Sequence, residues 1–338
     1  MILVTGATGH IGNVLVRELI KHGDRVRALV LPGDNLDSLV GLDLEIAEGD
    51  VLDPASLETA FRGVRGVYHL AGIISIMPGE NSLLNRVNIE GTRNVLQAAK
   101  STGVRRLVYT SSIHAFYRAP HGVTIDESIP FDPTNPVGAY DRSKALATLV
   151  VQDAARHGLD VVIVCPTGVI GPHDYLGSEM GSIIKRAVEQ KTQLYLDGAY
   201  DFVDVRDVAL GMQLAYQKGS AGEVYILSGE RIEVEQLINL LQEITGSHTA
   251  RIKVPLWLAK FITLFTPTYY RLAKIAPRIT PYSIETLHSN SVISSSKARQ
   301  ELGYSPRPLR QTISDTVSWL ADRNHLKTKP AELQPIHQ

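Results

Sequence analysis

Over its first 165 residues the chain alternates short, β-rich apolar runs with amphipathic helical patterns, and few folds accept that rhythm. Strand candidates cover residues 2–5, 26–31, 44–47, 66–70, 106–109 and 161–165. Helix candidates cover 11–22, 54–62, 82–101 and 140–157. Nearly continuous apolar strands need cover on both faces, so the pattern predicts an α/β fold with a doubly wound parallel sheet. Such a sheet binds ligands beyond the carboxyl ends of its strands, at the topological switch point.

After Gly171-Pro172 the alternation fades. Helical patterns at 181–189, 205–217, 234–244, 256–275, 294–302 and 310–322 dominate, interrupted by short strands at 193–196 and 223–227. We expect residues 1–172 to form the ligand-binding sheet domain, with the chain crossing between lobes after 172. Residues 173–327 are expected to form most of a smaller, partly helical lobe over the sheet's ligand edge. Residues 328–338, with Pro330 and Pro335 nearby or within, read as a flexible tail. The apolar stretch 257–270, WLAKFITLFTPTYY, has only Lys260 and Arg271 supplying charge near it. Its weak basic face favours a buried or pocket-covering helix over a membrane-surface one.

Composition narrows the partners. Lys and Arg total 34 against 35 Asp and Glu, so nothing draws the whole chain to nucleic acid. A single cysteine, Cys165, excludes an intrachain disulfide and a Cys-based zinc site, and no metal site is expected. No run approaches the roughly 18 apolar residues of a membrane span. The chain starts on a strand, Met1-Ile2-Leu3-Val4, rather than on a signal peptide, so a cytoplasmic location is expected.

Thr5-Gly6-Ala7-Thr8-Gly9-His10-Ile11-Gly12 follows the first strand and opens the first helix. In that context Gly6 makes the tight turn, Gly9 lets backbone approach a pyrophosphate, and Gly12 permits close helix–strand packing. The helix start, around Thr8, His10 and Ile11, offers free amides and a positive dipole end to phosphate. Gly49-Asp50-Val51 follows the third strand, where Asp50 either accepts from an adenine amine or caps a helix. His69-Leu70-Ala71-Gly72 closes the fourth strand with small residues that let a ribose approach.

TGATGHIG, GDVLD, YHLAG, VNIEGTRNVL, VYTSS, YDRSK and CPTGVIGP occur in this order across roughly residues 1 to 230. Motifs and spacings together resemble the extended short-chain dehydrogenase/reductase superfamily, the NAD-dependent epimerase/dehydratase family. The resemblance is strongest to its dihydroflavonol reductase and 3β-hydroxysteroid dehydrogenase-like branch. It implies a Rossmann-type sheet, a nicotinamide dinucleotide and a C-terminal substrate lobe. It also implies a homodimer built on the helices that carry Asn88 and Tyr140. At the end of the second strand the family's acid (for NAD) or base (for NADP) is replaced by Val30 and Leu31, so both cofactors stand.

Tyr140 and Lys144 are four residues apart and share one helix face. Carbonyl reduction needs a proton donor, and alcohol oxidation needs the same group as base. A free phenol, with pKa about 10, is poorly matched to neutral pH, and a nearby ammonium would lower it. The resemblance implies that Ser112 holds the substrate oxygen, Tyr140 exchanges the proton, and Lys144 also binds the nicotinamide ribose. It further implies that Asn88 supports the lysine and that Pro166-Thr167 approach the cofactor's carboxamide. His114, Tyr175 and Met180 are substrate-pocket candidates.

Three functions remain: a carbonyl reductase or alcohol dehydrogenase on an apolar small molecule, a nucleotide-sugar epimerase or dehydratase, and a dinucleotide sensor without chemistry. Such sensors typically lack the Tyr-Lys pair. Family dehydratases carry Thr-Asp-Glu where Ser112-Ile113-His114 stand, so the acid pair for elimination is missing. Tyr200 stands where sugar-nucleotide enzymes usually place an Arg, and a diphosphate would find few guanidinium partners. The reductase reading is favoured, with the epimerase as the alternative.

Overall fold

The computed structural model describes residues 1–79, 81–189, 192–246, 250–273 and 279–323. Its strands are β1 (Ile2–Thr5), β2 (Val26–Val30), β3 (Glu45–Glu48), β4 (Gly66–His69), β5 (Arg106–Thr110), β6 (Val161–Pro166) and β7 (Gly168–Ile170). β8 (Thr192–Tyr195), β9 (Ala199–Asp204), β10 (Val224–Leu227), β11 (Glu230–Glu233) and β12 (Ala250–Lys253) follow. All six expected strands of the first half are present, β1 with the expected bounds and the others with ends shifted by one residue. Seven strands form one parallel sheet in the order β10-β6-β5-β4-β1-β2-β3. β1 lies between β2 and β4, so the strand order reverses there and opens the crevice that sequence reasoning anticipated.

The helices are α1 (His10–Lys21), α2 (Pro54–Phe61), α3 (Ser82–Asn85), α4 (Thr92–Ser101), α5 (Ala139–Arg156) and α6 (Glu179–Glu189). α7 (Val205–Lys218), α8 (Val234–Thr245), α9 (Leu256–Thr263), α10 (Thr266–Ala273), α11 (Pro281–His288) and α12 (Leu309–Asp322) complete them. Val14, Leu15 and Leu19 of α1 pack with Val208 and Met212 of α7 on one sheet face. Leu57 of α2, Val95 of α4 and Val151 of α5 cover the other. Burial on both faces accounts for strands such as β6, whose six residues are all buried.

Beyond residue 172 the chain divides between the lobes. β7, β9 and β11 form a second sheet, over which Ile184, Leu237, Leu241, Ile313 and Val317 of α6, α8 and α12 build a separate core. α7 and β10 return to the large sheet, and Ala298, Leu302 and Tyr304 join its core. The expected tail at 328–338 lies outside the described residues, as do 324–327.

Three expected helices are interrupted. The helix at 82–101 contains a π-turn, Arg86–Gly91, between α3 and α4. At 294–302 a π-turn, Ala298–Leu302, takes most of the expected helix. Of the stretch 256–275, residues 256–273 are described and form two short helices, because Pro267 lacks the amide that would continue the ladder and instead sits in the first turn of α10. Nor is that stretch buried. Only Ala259, Thr263 and Pro267 turn inward, while Trp257, Phe261, Phe265 and Leu272 face outward.

Candidate active site

The glycine loop is dictated by close approach. Gly6 has φ of +66°, and a Cβ there would stand 2.8 Å from the Ala71 amide nitrogen at the end of β4. A Cβ on Gly12 would stand 2.0 Å from the Gly6 carbonyl oxygen, so only glycine lets α1 start this close to β1. α1 begins at Gly9 with no side-chain cap and no acid in its first turn. By contrast Asp53, Asp204 and Thr280 cap α2, α7 and α11. The uncapped amides at His10, Ile11 and Gly12 suit an anion, so the residues present fit a dinucleotide pyrophosphate.

Around this loop the sequence candidates separate. Thr8 Oγ1 donates to Asp34 Oδ2 at 2.8 Å, and His10 Nε2 lies 3.0 Å from the Pro172 carbonyl. Leu31 is exposed just past β2. Arg27 points away from any 2′-phosphate: its guanidinium binds Glu45 Oε1 at 2.7 Å and the carbonyls of Ala60 and Arg62 at the end of α2. Asp50 is not the cap of α2, which is Asp53; one Asp50 oxygen closes a turn onto the Leu52 amide at 2.9 Å. Val51 is buried against Gly91. Leu70 and Ala71 both donate their amides to Thr5 Oγ1 at 3.1 Å. Gly72 comes close to Asn88, since a Cβ there would be 3.2 Å from Asn88 Oδ1. Pro166 and Thr167 end β6, with the Thr167 amide donated to the Leu227 carbonyl at 3.2 Å.

At the carboxyl edge, β5 ends on Thr110 and Ser112 opens a short 3₁₀ turn, its Oγ accepting from the His114 amide at 3.2 Å. α5 starts after Gly138, which brings Tyr140 and Lys144 into the crevice, both buried. The Ser112 hydroxyl lies near the Tyr140 phenol. Burial pushes the phenol up to about 12, although the Ser112 hydroxyl pulls it down. Lys144 was expected to lower this phenol; here burial dominates instead. Lys144 Nζ donates to the Thr110 carbonyl at 2.7 Å and to the Tyr109 hydroxyl at 3.4 Å. Burial brings that ammonium down to about 8.

Asn88 does not touch Lys144. Its Nδ2 donates to Ser143 Oγ at 2.9 Å and the Ile73 carbonyl at 3.0 Å, while its Oδ1 accepts from the Ile73 amide at 2.7 Å. Ser143 in turn donates to the Tyr140 carbonyl at 2.8 Å. Asn88 therefore clamps the Ile73 loop to the turn of α5 that carries the tyrosine, a positioning role. His114 lies edge-on to Tyr140 at 6.3 Å between ring centroids and 6.3 Å from Tyr282, so it lines the same wall. Burial lowers its pKa, which favours the neutral ring.

Tyr175 is not in this group. After His173, which has a φ of +67°, it packs under Arg17 and Arg323 and edge-on to Trp319, 5.5 Å between centroids. Its hydroxyl accepts from Arg17 at 3.1 Å and Arg323 at 3.2 Å, so it ties α1 to α12. Met180 starts α6, but its side chain lies outside the described residues.

Two buried devices escaped sequence reasoning. Thr5 Oγ1 accepts from two amides, so its hydrogen goes to His69 Nδ1 at 2.8 Å. Nε2 then carries the ring proton and donates to Thr92 Oγ1 at 3.0 Å, and Thr92 donates to the Asn88 carbonyl at 2.7 Å. This chain couples the glycine-loop strand to the Asn88 turn. Burial, aided by the Lys144 charge, lowers His69 to about 3. Below pH 6.5 the unfolded chain takes up a proton that the folded chain refuses until about 3, so stability falls with pH by about 1 kcal/mol per unit. Urea midpoints should fall from pH 6.5 downward, and His69→Gln should flatten that slope. An equal slope in the variant would remove His69 as its source. In the second device, Asp141 is fully buried, with Arg118 at 2.9 Å and the Tyr282 hydroxyl at 2.6 Å.

Comparison with known proteins follows the same lines. "Sterol demethylase protein B" of Methylococcus capsulatus is 38% identical over 323 residues, covering 95% of this chain and 98% of that protein. "3beta-hydroxysteroid-dehydrogenase/decarboxylase isoform 1" of Arabidopsis thaliana is 29% identical over 365 residues, covering 98% of this chain and 82% of that one. The crystal structure of gox2253 matches with a TM-score of 0.85 at 33% identity, covering 97% of this chain and 99% of that one. The model of the NAD dependent epimerase/dehydratase family matches residues 2–228, a span that takes in the glycine loop, the Asn88 turn and the Tyr140 helix. With that match lying over the crevice and full-length relatives on either side of it, the chain belongs to the NAD dependent epimerase/dehydratase family.

Proposed function

We propose that this chain interconverts a carbonyl and a secondary alcohol on a fairly apolar small molecule, with Ser112, Tyr140 and Lys144 as its catalytic residues. The observation that carries the reading is the buried Tyr140 phenol beside Ser112 and one helical turn from buried Lys144, on the same crevice as an uncapped helix start. The names of the sterol and 3β-hydroxysteroid relatives support an apolar, polycyclic substrate.

A bound nicotinamide dinucleotide supplies or accepts the hydride. The chain does the rest. Ser112 Oγ orients the substrate oxygen, and Tyr140 gives its proton to that oxygen as negative charge develops. A phenol held near 12 is protonated at neutral pH, the form that donates to a forming alkoxide. Lys144 supplies a positive charge behind the tyrosine, and Asn88 holds the α5 turn through Ser143.

NAD is the cofactor we favour. Asp34 accepts from Thr8 of the glycine loop, so an acid stands at the loop although β2 ends without one. A carboxylate there can accept from a ribose hydroxyl and repels a 2′-phosphate. Asp34→Asn should tighten NADPH binding about tenfold relative to NADH, read by the fluorescence of the bound reduced cofactor. An unchanged ratio would remove Asp34 from cofactor choice. The reading also includes a homodimer on α4 and α5, where Leu146 is exposed; a monomer in sedimentation velocity would end that part.

The test of the function is an absorbance screen of NADH and NADPH against steroid and aryl ketones, aldehydes and UDP- or dTDP-sugars. Net oxidation by an apolar carbonyl is the expected result. Sugar interconversion without net cofactor change would instead mean an epimerase.

A further inference from the structure

The feature no part of the proposed reaction uses is the outward face of α9 and α10. Trp257 is 71% exposed, Phe261 57%, Leu264 66%, Phe265 62% and Leu272 81%. Ile262 is 50% exposed. Single exposed apolar residues are ordinary, but six large ones between residues 257 and 272, with the Phe261 and Phe265 ring centroids 5.5 Å apart, are of the kind that marks an interaction site. No helix among the described residues is long and apolar enough to cross a membrane. The patch can meet a bilayer only from its surface.

Charge identifies the partner. Residues 244–284 hold six Lys or Arg and no Asp or Glu, in a chain whose net charge is −1. Lys260 lies within α9 and Arg271 within α10, both exposed and without an ion pair among the described residues. A second copy meeting this face about a two-fold axis would set these cations against each other with no acid to answer them. An anionic lipid surface answers both features, accepting the aromatic and aliphatic side chains at the acyl boundary and the cations at the headgroups.

The patch also borders the site. Arg271 Nη2 donates to the Pro78 carbonyl at 3.3 Å and Thr280 Oγ1 to the Ile76 carbonyl at 2.8 Å, so α10 and the turn before α11 hold the loop that begins at Gly72. That loop is the one Asn88 clamps at Ile73. We infer that α9 and α10 dock this protein on the surface of a bilayer containing anionic lipid, with the mouth of the crevice beside the docked face. The inference stands on the surface itself and survives if the proposed reaction is wrong.

Vesicle flotation of the full chain tests it, with phosphatidylcholine alone and with equal parts phosphatidylcholine and phosphatidylglycerol. The chain should float with the mixed vesicles at low salt and about tenfold less well with phosphatidylcholine. In a Trp319→Phe background, Trp257 emission should shift to the blue on the mixed vesicles and be quenched by brominated lipid. Phe261→Asp with Phe265→Asp should lower partition about tenfold or more, with far-UV circular dichroism and NADH binding unchanged. Lys260→Glu with Arg271→Glu should lower it on the mixed vesicles alone. Equal partition on both compositions, or on neither, overturns the inference. So does self-association that the Phe261/Phe265 variant abolishes while no vesicle is bound, because the patch would then belong to a second copy.

Discussion

Tyr140→Phe is expected to lower reductive turnover about a thousandfold or more while NADH binding changes less than about twofold. The ring stays, so its packing with His114 stays, and only the hydroxyl beside Ser112 is lost. Neither cation-forming neighbour replaces it: burial lowers the pKa of His114, and Lys144 is engaged by the Thr110 carbonyl. Single-turnover absorbance with the best substrate from the screen reads the chemistry, and cofactor fluorescence reads the binding. Turnover within tenfold of the parent would remove Tyr140 as proton donor. Equal loss of NADH binding would mean that the variant had damaged the crevice instead.

Asp141→Ala should be the most destabilising change near the site, by about 3 kcal/mol. Asp141 is wholly buried, and its two oxygens hold Arg118 and the Tyr282 hydroxyl. Removing it leaves a largely buried guanidinium without its counter-charge, and Arg118 Nη1 already has no partner. It also frees Tyr282, whose ring packs so close to the start of α5 that a Cβ on Gly138 would stand 2.5 Å from it. Urea unfolding gives the stability change. In steady state KM for the carbonyl should rise more than kcat falls, because the wall moves and the proton donor does not. Asp141→Asn keeps the size and one hydrogen bond and should lose about half as much. A loss below 1 kcal/mol for Asp141→Ala would show that water replaces the carboxylate at no cost.

Both expectations rest on the same crevice, yet only one was legible in the chain. Tyr140 and Lys144 could be paired on paper because four residues make one helical turn, a local rule that needs no neighbour. Asp141 sits beside them in sequence and showed nothing, since its partners lie 23 and 141 residues away. His69 was equally silent. It closed a strand in the sequence, and only the parallel register of β1 and β4 sets it against Thr5. Asn88 was found by its motif, but its partner proved to be Ser143. Tyr175 was placed in the pocket because it follows a turn after β7, whereas the His173 backbone carries it to α12.

The stretch after Pro255 fails for the reciprocal reason. Its apolar residues were read as buried or pocket-covering because the basic face beside them is weak. Periodicity says which residues share a face and nothing about what that face meets. Here they meet solvent.

By itself the sequence determined the strand–helix rhythm, the glycine turn after β1 and the Tyr-Lys face of α5. Each depends on backbone geometry within a few residues. Tertiary structure alone decided which acids and histidines surround that face, that Lys144 leans on Thr110, and that α9 and α10 turn outward. Those depend on contacts between residues far apart in the chain, and hydrogen bonding and burial act on distance in space.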